Sequence, residues 1–223
     1  MKITQLKIFS QNIKEQLRFY KDELDFELTS YDETSFELQL GYSVLRFEKS
    51  TKARPYHFAF HIPDGQEDWA SEWLKSHLAP IKHHGKEIID FDNWKAKSVY
   101  FYDKDENIVE LISRIDLNSS DSGVFNAQSI VGIAEIGMAT SDISAKFKDL
   151  RSECFLNLFD GDMERFCAIG DASGLIICID KNKKDWFPNE DKAYTSDFEM
   201  EMEHKNENFS ISYKNDELSI TKA

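Results

Sequence analysis

A chain of 223 residues is long enough for two small domains, each able to bury a core of its own. Hydrophobic residues at 41% and charged residues at 30% mark a globular chain, and no apolar run reaches the roughly 18 residues of a membrane span. Against 41 acidic residues stand 27 basic ones, and a formal charge of −14 repels phosphate backbones and anionic lipid, so neither nucleic acid nor membrane is expected as a partner.

From Met1 the chain enters the apolar alternation Ile3, Leu6, Ile8 without a secretory hydrophobic region, and a cytoplasmic location is expected. The alternation predicts a strand over Ile3 to Phe9. Asn12 with Glu15 three residues on reads as a capping box, opening a helix whose apolar face is Ile13, Leu17 and Tyr20. Strand-like runs follow at Phe26 to Tyr31, Ser35 to Leu40 and Ser43 to Phe47, giving the order β-α-β-β-β.

The same order returns about fifty residues later. His57 to Ile62 is predicted as a strand. A helix carrying Trp69, Trp73, Leu74 and His77 follows, and Pro80 ends it. Strands are expected at Glu87 to Phe91, Ser98 to Tyr102 and Ile108 to Ile112, the last two joined by the polar turn Asp103 to Asn107. Residues 116–129, with a Ser, Asn and Asp-rich stretch, read as a linker.

A third copy follows: a strand over Ile130 to Ala139, a helix capped by Asp142, and strands near Cys154 to Phe159, Arg165 to Ile169 and Leu175 to Ile179. The fourth copy is truncated, because too few residues separate Phe198 to Met202 from Phe209 to Tyr213 for a helix. Glu199, Glu201 and Glu203 alternate with Phe198, Met200 and Met202 as in any half-buried strand. Cys154, Cys167 and Cys178 form no CxxC pair and are read as inert thiols.

Three stretches resemble a known superfamily. His57-Phe58-Ala59-Phe60-His61-Ile62-Pro63-Asp64, and Ser98 through Tyr102, Asp103 through Asn107 and on to Ile112, are similar to the second module of vicinal-oxygen-chelate proteins, the superfamily of glyoxalases, bleomycin-resistance proteins and extradiol dioxygenases. Gln5 through Tyr20, followed by Leu24-Asp25-Phe26, resembles the opening module. Glu106 stands where the family usually has glycine.

The resemblance implies an α+β fold of tandem βαβββ modules forming two open barrels, the last module truncated. Residues 1–115 would form an N-terminal domain of modules 1 and 2, and residues 130–223 a degenerate C-terminal domain. It further implies a divalent metal, Fe, Mn, Ni or Zn, held by Gln5, His57 and Glu110, with Glu110 and Arg46 in catalytic roles. The alternation of apolar residues agrees in direction: Leu6, Ile8, Leu45, Phe47, Phe58, Phe60, Val109 and Leu111 suit a helix-covered face, which leaves Gln5, Arg46, His57 and Glu110 on the opposite face.

One imidazole, one carboxylate and one amide oxygen form half of an octahedral site with room for a chelating small molecule. Arg46, a cation where a four-ligand site would have a carboxylate, would otherwise pair with Glu110 or an anionic ligand. The expected function is a metal-dependent enzyme of glyoxalase or dioxygenase type acting on a small oxygen-chelating molecule. The alternative is a non-catalytic bleomycin-resistance-type binding protein with an aromatic-lined cleft. Glu135 and Cys178 occupy the corresponding strands of the C-terminal half, which is expected to act as a cover. Four modules in one chain are compatible with a monomer or a homodimer.

Overall fold

The computed structural model describes residues 1–117 and 123–222. The first module is β1 (Lys2–Ser10), α1 (Ile13–Arg18), β2 (Glu27–Tyr31), β3 (Ser35–Leu40) and β4 (Ser43–Lys49). The second is β5 (His57–His61), α2 (Glu67–Lys75), β6 (Ile88–Phe91), β7 (Ala96–Tyr102) and β8 (Ile108–Arg114). The third is β9 (Gly132–Thr140), α3 (Ile143–Cys154), β10 (Leu158–Gly161), β11 (Phe166–Asp171) and β12 (Gly174–Asp180). The fourth has strands alone: β13 (Phe198–His204), β14 (Glu207–Lys214) and β15 (Glu217–Lys222).

In the first three modules the first strand pairs in parallel with the last, β1 with β4, β5 with β8 and β9 with β12, and the remaining strands follow as antiparallel neighbours. A parallel pair needs a long crossover, which the helix and the middle strands supply. The fourth module has no such crossover, so β13, β14 and β15 form a simple antiparallel meander. The tandem βαβββ architecture with a truncated last module is thus as the sequence implied, with β15 an addition to it.

The modules do not pair in sequence order. β1 runs antiparallel to β13, joining module 1 to module 4, and β5 runs antiparallel to β9, joining module 2 to module 3. A single bridge, Ile3 to Ile133, links the two halves of the sheet. Both inter-module ladders thus join a strand of residues 1–115 to a strand of residues 130–223. Residues 118–122 of the expected linker lie outside the described residues.

Of three local expectations, two change. Asn12 precedes α1, but its side chain donates to Asp105 Oδ1 at 2.7 Å and forms no cap. Asp142 does cap α3, accepting from the Ala145 amide at 2.9 Å. That helix continues through Cys154, and the strand expected there starts at Leu158.

Leu6, Ile8, Leu45, Phe47, Phe58, Phe60, Val109 and Leu111 are all fully buried. They pack beneath the helices against Phe19, Tyr20, Leu74 and Leu150, in one core that runs through all four modules. Alternation thus assigns the opposite strand faces to the two concave surfaces. Asp216, in the β14–β15 turn, fastens module 4 to module 3 by accepting from Thr140 Oγ1, Ser141 Oγ and Lys181 Nζ.

Candidate metal centre

The two concave faces differ in chemistry. Between modules 1 and 4 lies a cleft of about 640 Å³ lined by Gln5, Lys7, Arg46, Glu48, Glu199, Glu201 and Lys214 among others. Most of its charges are paired: Lys7 meets Glu199 at 2.6 Å, Arg46 meets Glu37 at 2.8 Å and Glu48 at 3.7 Å, and Lys214 meets Glu199. Arg46 therefore pairs with neighbours in its own module and not with Glu110.

Between modules 2 and 3 lies a cleft of about 710 Å³ with His57, Glu110 and Glu135 at its floor. Its walls combine Phe91, Trp94, Tyr100, Phe166, Ile177 and Trp186 with charged residues that include Asp90, Asp162, Arg165 and Lys184. The four residues expected in one site are thus divided: His57 and Glu110 come together, while Gln5 and Arg46 line the other barrel. Glu135 takes the place expected for Gln5, for a topological reason. The first strand beside β5 is β9, not β1, and its residue Glu135 pairs in register with Ala59.

His57 and Glu110 sit on the parallel strands β5 and β8, while Glu135 arrives from across the module boundary. His57 Nε2 lies 3.5 Å from Glu110 Oε2 and 3.9 Å from Glu135 Oε2. The ligand atoms of all three residues lie within 4.8 Å of one another, and all three residues are buried. His57 Nδ1 lies 3.3 Å from the Ile108 carbonyl oxygen, which can only accept, so Nδ1 carries the proton and Nε2 presents its lone pair. A lone pair and two carboxylates converge, and the cluster requires a proton or a cation among them.

Burial sets the electrostatics. It lowers the pKa of His57, against a smaller upward pull from Glu135, so the ring is neutral. It raises Glu110, with Ser98, Tyr100 and Arg114 offsetting part of the effect. Burial and then the charge of Glu110 push Glu135 up to about 7, against Arg114 and His57. Two carboxylates so placed are hard to ionise together without a compensating charge. Tyr100 is raised well above 10 by burial and by Glu110 and Glu135, and its phenol stays protonated.

A neutral imidazole with two carboxylates is a suitable donor set for Fe²⁺, Mn²⁺, Ni²⁺ or Zn²⁺, and its two negative charges match a dication. Arg114, fully buried, donates from Nη2 to Glu135 Oε1. Trp186 comes from the connection between β12 and β13 and stacks obliquely on His57, the rings 5.3 Å apart. Glu135, Arg114 and Trp186 lay outside the sequence-based set. A lone acid inside the apolar strand Ile133 to Met138 was the available signal for the first.

By sequence, no protein-family profile and no curated protein matches the chain. Solved structures do match. A Bacillus subtilis protein provisionally described as a dioxygenase aligns over 100% of this chain and 84% of its own, at 13% identity and a TM-score of 0.59. A glyoxalase/bleomycin resistance protein/dioxygenase from Alicyclobacillus acidocaldarius aligns over 52% of this chain and 94% of its own, at 18% identity and a TM-score of 0.44. A lactoylglutathione lyase from Agrobacterium tumefaciens covers 50% and 92%, at 16% identity and a TM-score of 0.43. At such identities the likeness is one of fold, and the chain has the vicinal-oxygen-chelate fold. Among the described residues no helix is long and apolar enough to cross a membrane.

Proposed function

We propose that the cleft between modules 2 and 3 is the active site of a metal-dependent enzyme of glyoxalase or dioxygenase type that acts on a small molecule bearing adjacent oxygens. The observation that carries this reading is the convergence of His57 Nε2, Glu110 and Glu135 on one buried point, with His57 Nδ1 turned toward the Ile108 carbonyl oxygen. His57, Glu110 and Glu135 would hold the metal. A bound divalent ion would supply positive charge and open positions for two ligand oxygens.

The chain's own groups have assignable tasks. His57 is fixed in one tautomer by the Ile108 carbonyl. The Tyr100 phenol stays protonated and donates to Glu110, which steadies that carboxylate at the floor of the cleft. Trp186, Phe166 and Ile177 exclude water from the floor and strengthen its electrostatics. Gln5 and Arg46, across the molecule in an ion-paired cleft, have no part in this reading.

The test is metal content and thermal stability after dialysis of the full chain against Fe²⁺, Mn²⁺, Ni²⁺ or Zn²⁺. Wild type and Gln5→Ala should each hold one ion per chain, and His57→Ala should hold none, since it loses the strongest neutral donor. A wild type that binds none of the four at micromolar concentration would overturn the enzyme reading and leave a binding protein of the bleomycin-resistance kind. Loss of the ion in Gln5→Ala with retention in His57→Ala would show that the site lies in the other barrel.

A further inference from the structure

Arg114, at the end of β8, is fully buried, and its only hydrogen-bonding acceptor among the described residues is Glu135. Its Nε and Nη1 have no hydrogen-bond partner among the described residues. The guanidinium instead packs against two rings, 5.4 Å from the centre of Trp94 and 5.9 Å from that of Phe159. Trp94 is itself fixed by donation from its indole Nε1 to Asp160 Oδ2 at 2.6 Å. Trp94 belongs to module 2, Phe159 and Asp160 to module 3, so the guanidinium is clamped from both sides of the module boundary.

The clamp divides the two oxygens of Glu135. Arg114 takes Oε1, while Oε2 is the oxygen that lies 3.9 Å from His57 Nε2. A carboxylate on a free side chain would rotate and present either oxygen or both. We propose that Arg114 is the positioning residue for Glu135, holding one oxygen so that the other is presented singly to the metal cluster. This rests on the metal reading above, but it makes a separate claim. A buried cation this close to a dication site would by charge alone weaken metal binding. Because Arg114 engages the oxygen turned away from His57, orientation outweighs repulsion, as with other groups that orient a ligand from behind.

The experiment compares wild type, Arg114→Met and Arg114→Lys as full chains, titrated with Co²⁺ as the probe ion. Affinity is followed by calorimetry and ligand geometry by the visible absorption of the bound ion. Wild type should bind one Co²⁺ per chain. Arg114→Met should bind about 10- to 100-fold more weakly with an altered visible band. Arg114→Lys, which keeps the charge and loses the planar fork, should recover part of the affinity.

Unchanged affinity and band in a less stable Arg114→Met would overturn the proposal and leave Arg114 as a tie between modules. Tighter binding would overturn it in favour of simple repulsion. Should Arg114→Met fail to fold, Arg114→Lys against wild type decides: a clear loss of affinity supports positioning, and equality overturns it. A wild type that binds no Co²⁺, with no Fe²⁺, Mn²⁺, Ni²⁺ or Zn²⁺ bound either, fails at the metal reading itself and takes this proposal with it.

Discussion

Gly137 makes the seat for Trp186. A Cβ placed on Gly137 would lie 2.8 Å from the indole Cη2 and 3.0 Å from the His57 carbonyl oxygen, closer than side-chain carbons approach their neighbours. The absence of one methyl on β9 thus lets the indole lie down beside His57 and wall the His57, Glu110 and Glu135 cluster. Gly137→Ala should destabilise the chain by about 1–3 kcal/mol through overpacking, measured by urea unfolding. In a Trp186→Phe background the cost should shrink, because the smaller ring yields the space. Equal costs in both backgrounds would show that the indole is not what the new methyl meets.

The exchange of partners between modules predicts how the chain can be divided. β1 needs β13 and β5 needs β9, and each pair joins the two halves of the sequence. A fragment of residues 1–117 expressed alone would leave two first strands with open edges and buried apolar faces half covered. It should be insoluble or fail to show a cooperative thermal transition, whereas co-expression with residues 123–223 should give a soluble complex of the two. A 1–117 fragment that folds alone with a sharp transition would contradict the pairing.

The strand periods and turn residues made the four modules legible, because burial on one strand face writes a period of two into the sequence. They also put His57 and Glu110 on a shared face, and both line the cleft between modules 2 and 3. What they could not tell is which first strand docks against which. β1 and β5 are both apolar-faced first strands, and either could accept β9 along its outer edge as far as periodicity goes. That one ambiguity moved Gln5 and Arg46 out of the expected site, hid Arg114, and left Glu135 in a half read as a cover and not in the ligand set. Trp186 was invisible for another reason: it lies in an irregular connection, where no period locates a side chain.

His61 carries a pH dependence with a definite sign. It is buried, its Nε2 lies 3.2 Å from the Ser173 carbonyl oxygen, and burial with the nearby Arg114 charge lowers its pKa to about 4. Between about 4 and the ordinary 6.5 the unfolded chain binds the proton and the native chain does not, so stability rises with pH across that window. The contribution is complete above the unfolded value and lost as the pH falls through the folded one. Glu135, raised to about 7, acts in the opposite sense, so the comparison must be between variants. His61→Gln keeps a donor for Ser173 and cannot titrate. The stability of wild type relative to His61→Gln should fall by up to about 3 kcal/mol between pH 7 and pH 4. A difference independent of pH would mean that His61 is not held neutral.

Glu106 tests the turn that carries Glu110 into the site. The residue has a backbone φ of +61°, the left-handed region that L side chains enter at a cost of about 1–2 kcal/mol. It sits in the β7–β8 turn, where Asp103 Oδ1 accepts from the Asp105 and Asn107 amides and Asp103 Oδ2 accepts from Tyr20 and Asn107 side chains. Those bonds fix the turn and oblige position 106 to adopt the positive φ whatever its side chain. The Glu106 carboxylate takes part in none of them, so glycine could replace it without losing one. The greater freedom of glycine in the unfolded chain offsets part of the gain. Glu106→Gly should therefore raise stability by about 0.5–1 kcal/mol in urea unfolding while leaving metal affinity at the His57, Glu110 and Glu135 cluster unchanged. A loss of stability would show that the Glu106 side chain holds the turn through contacts of its own.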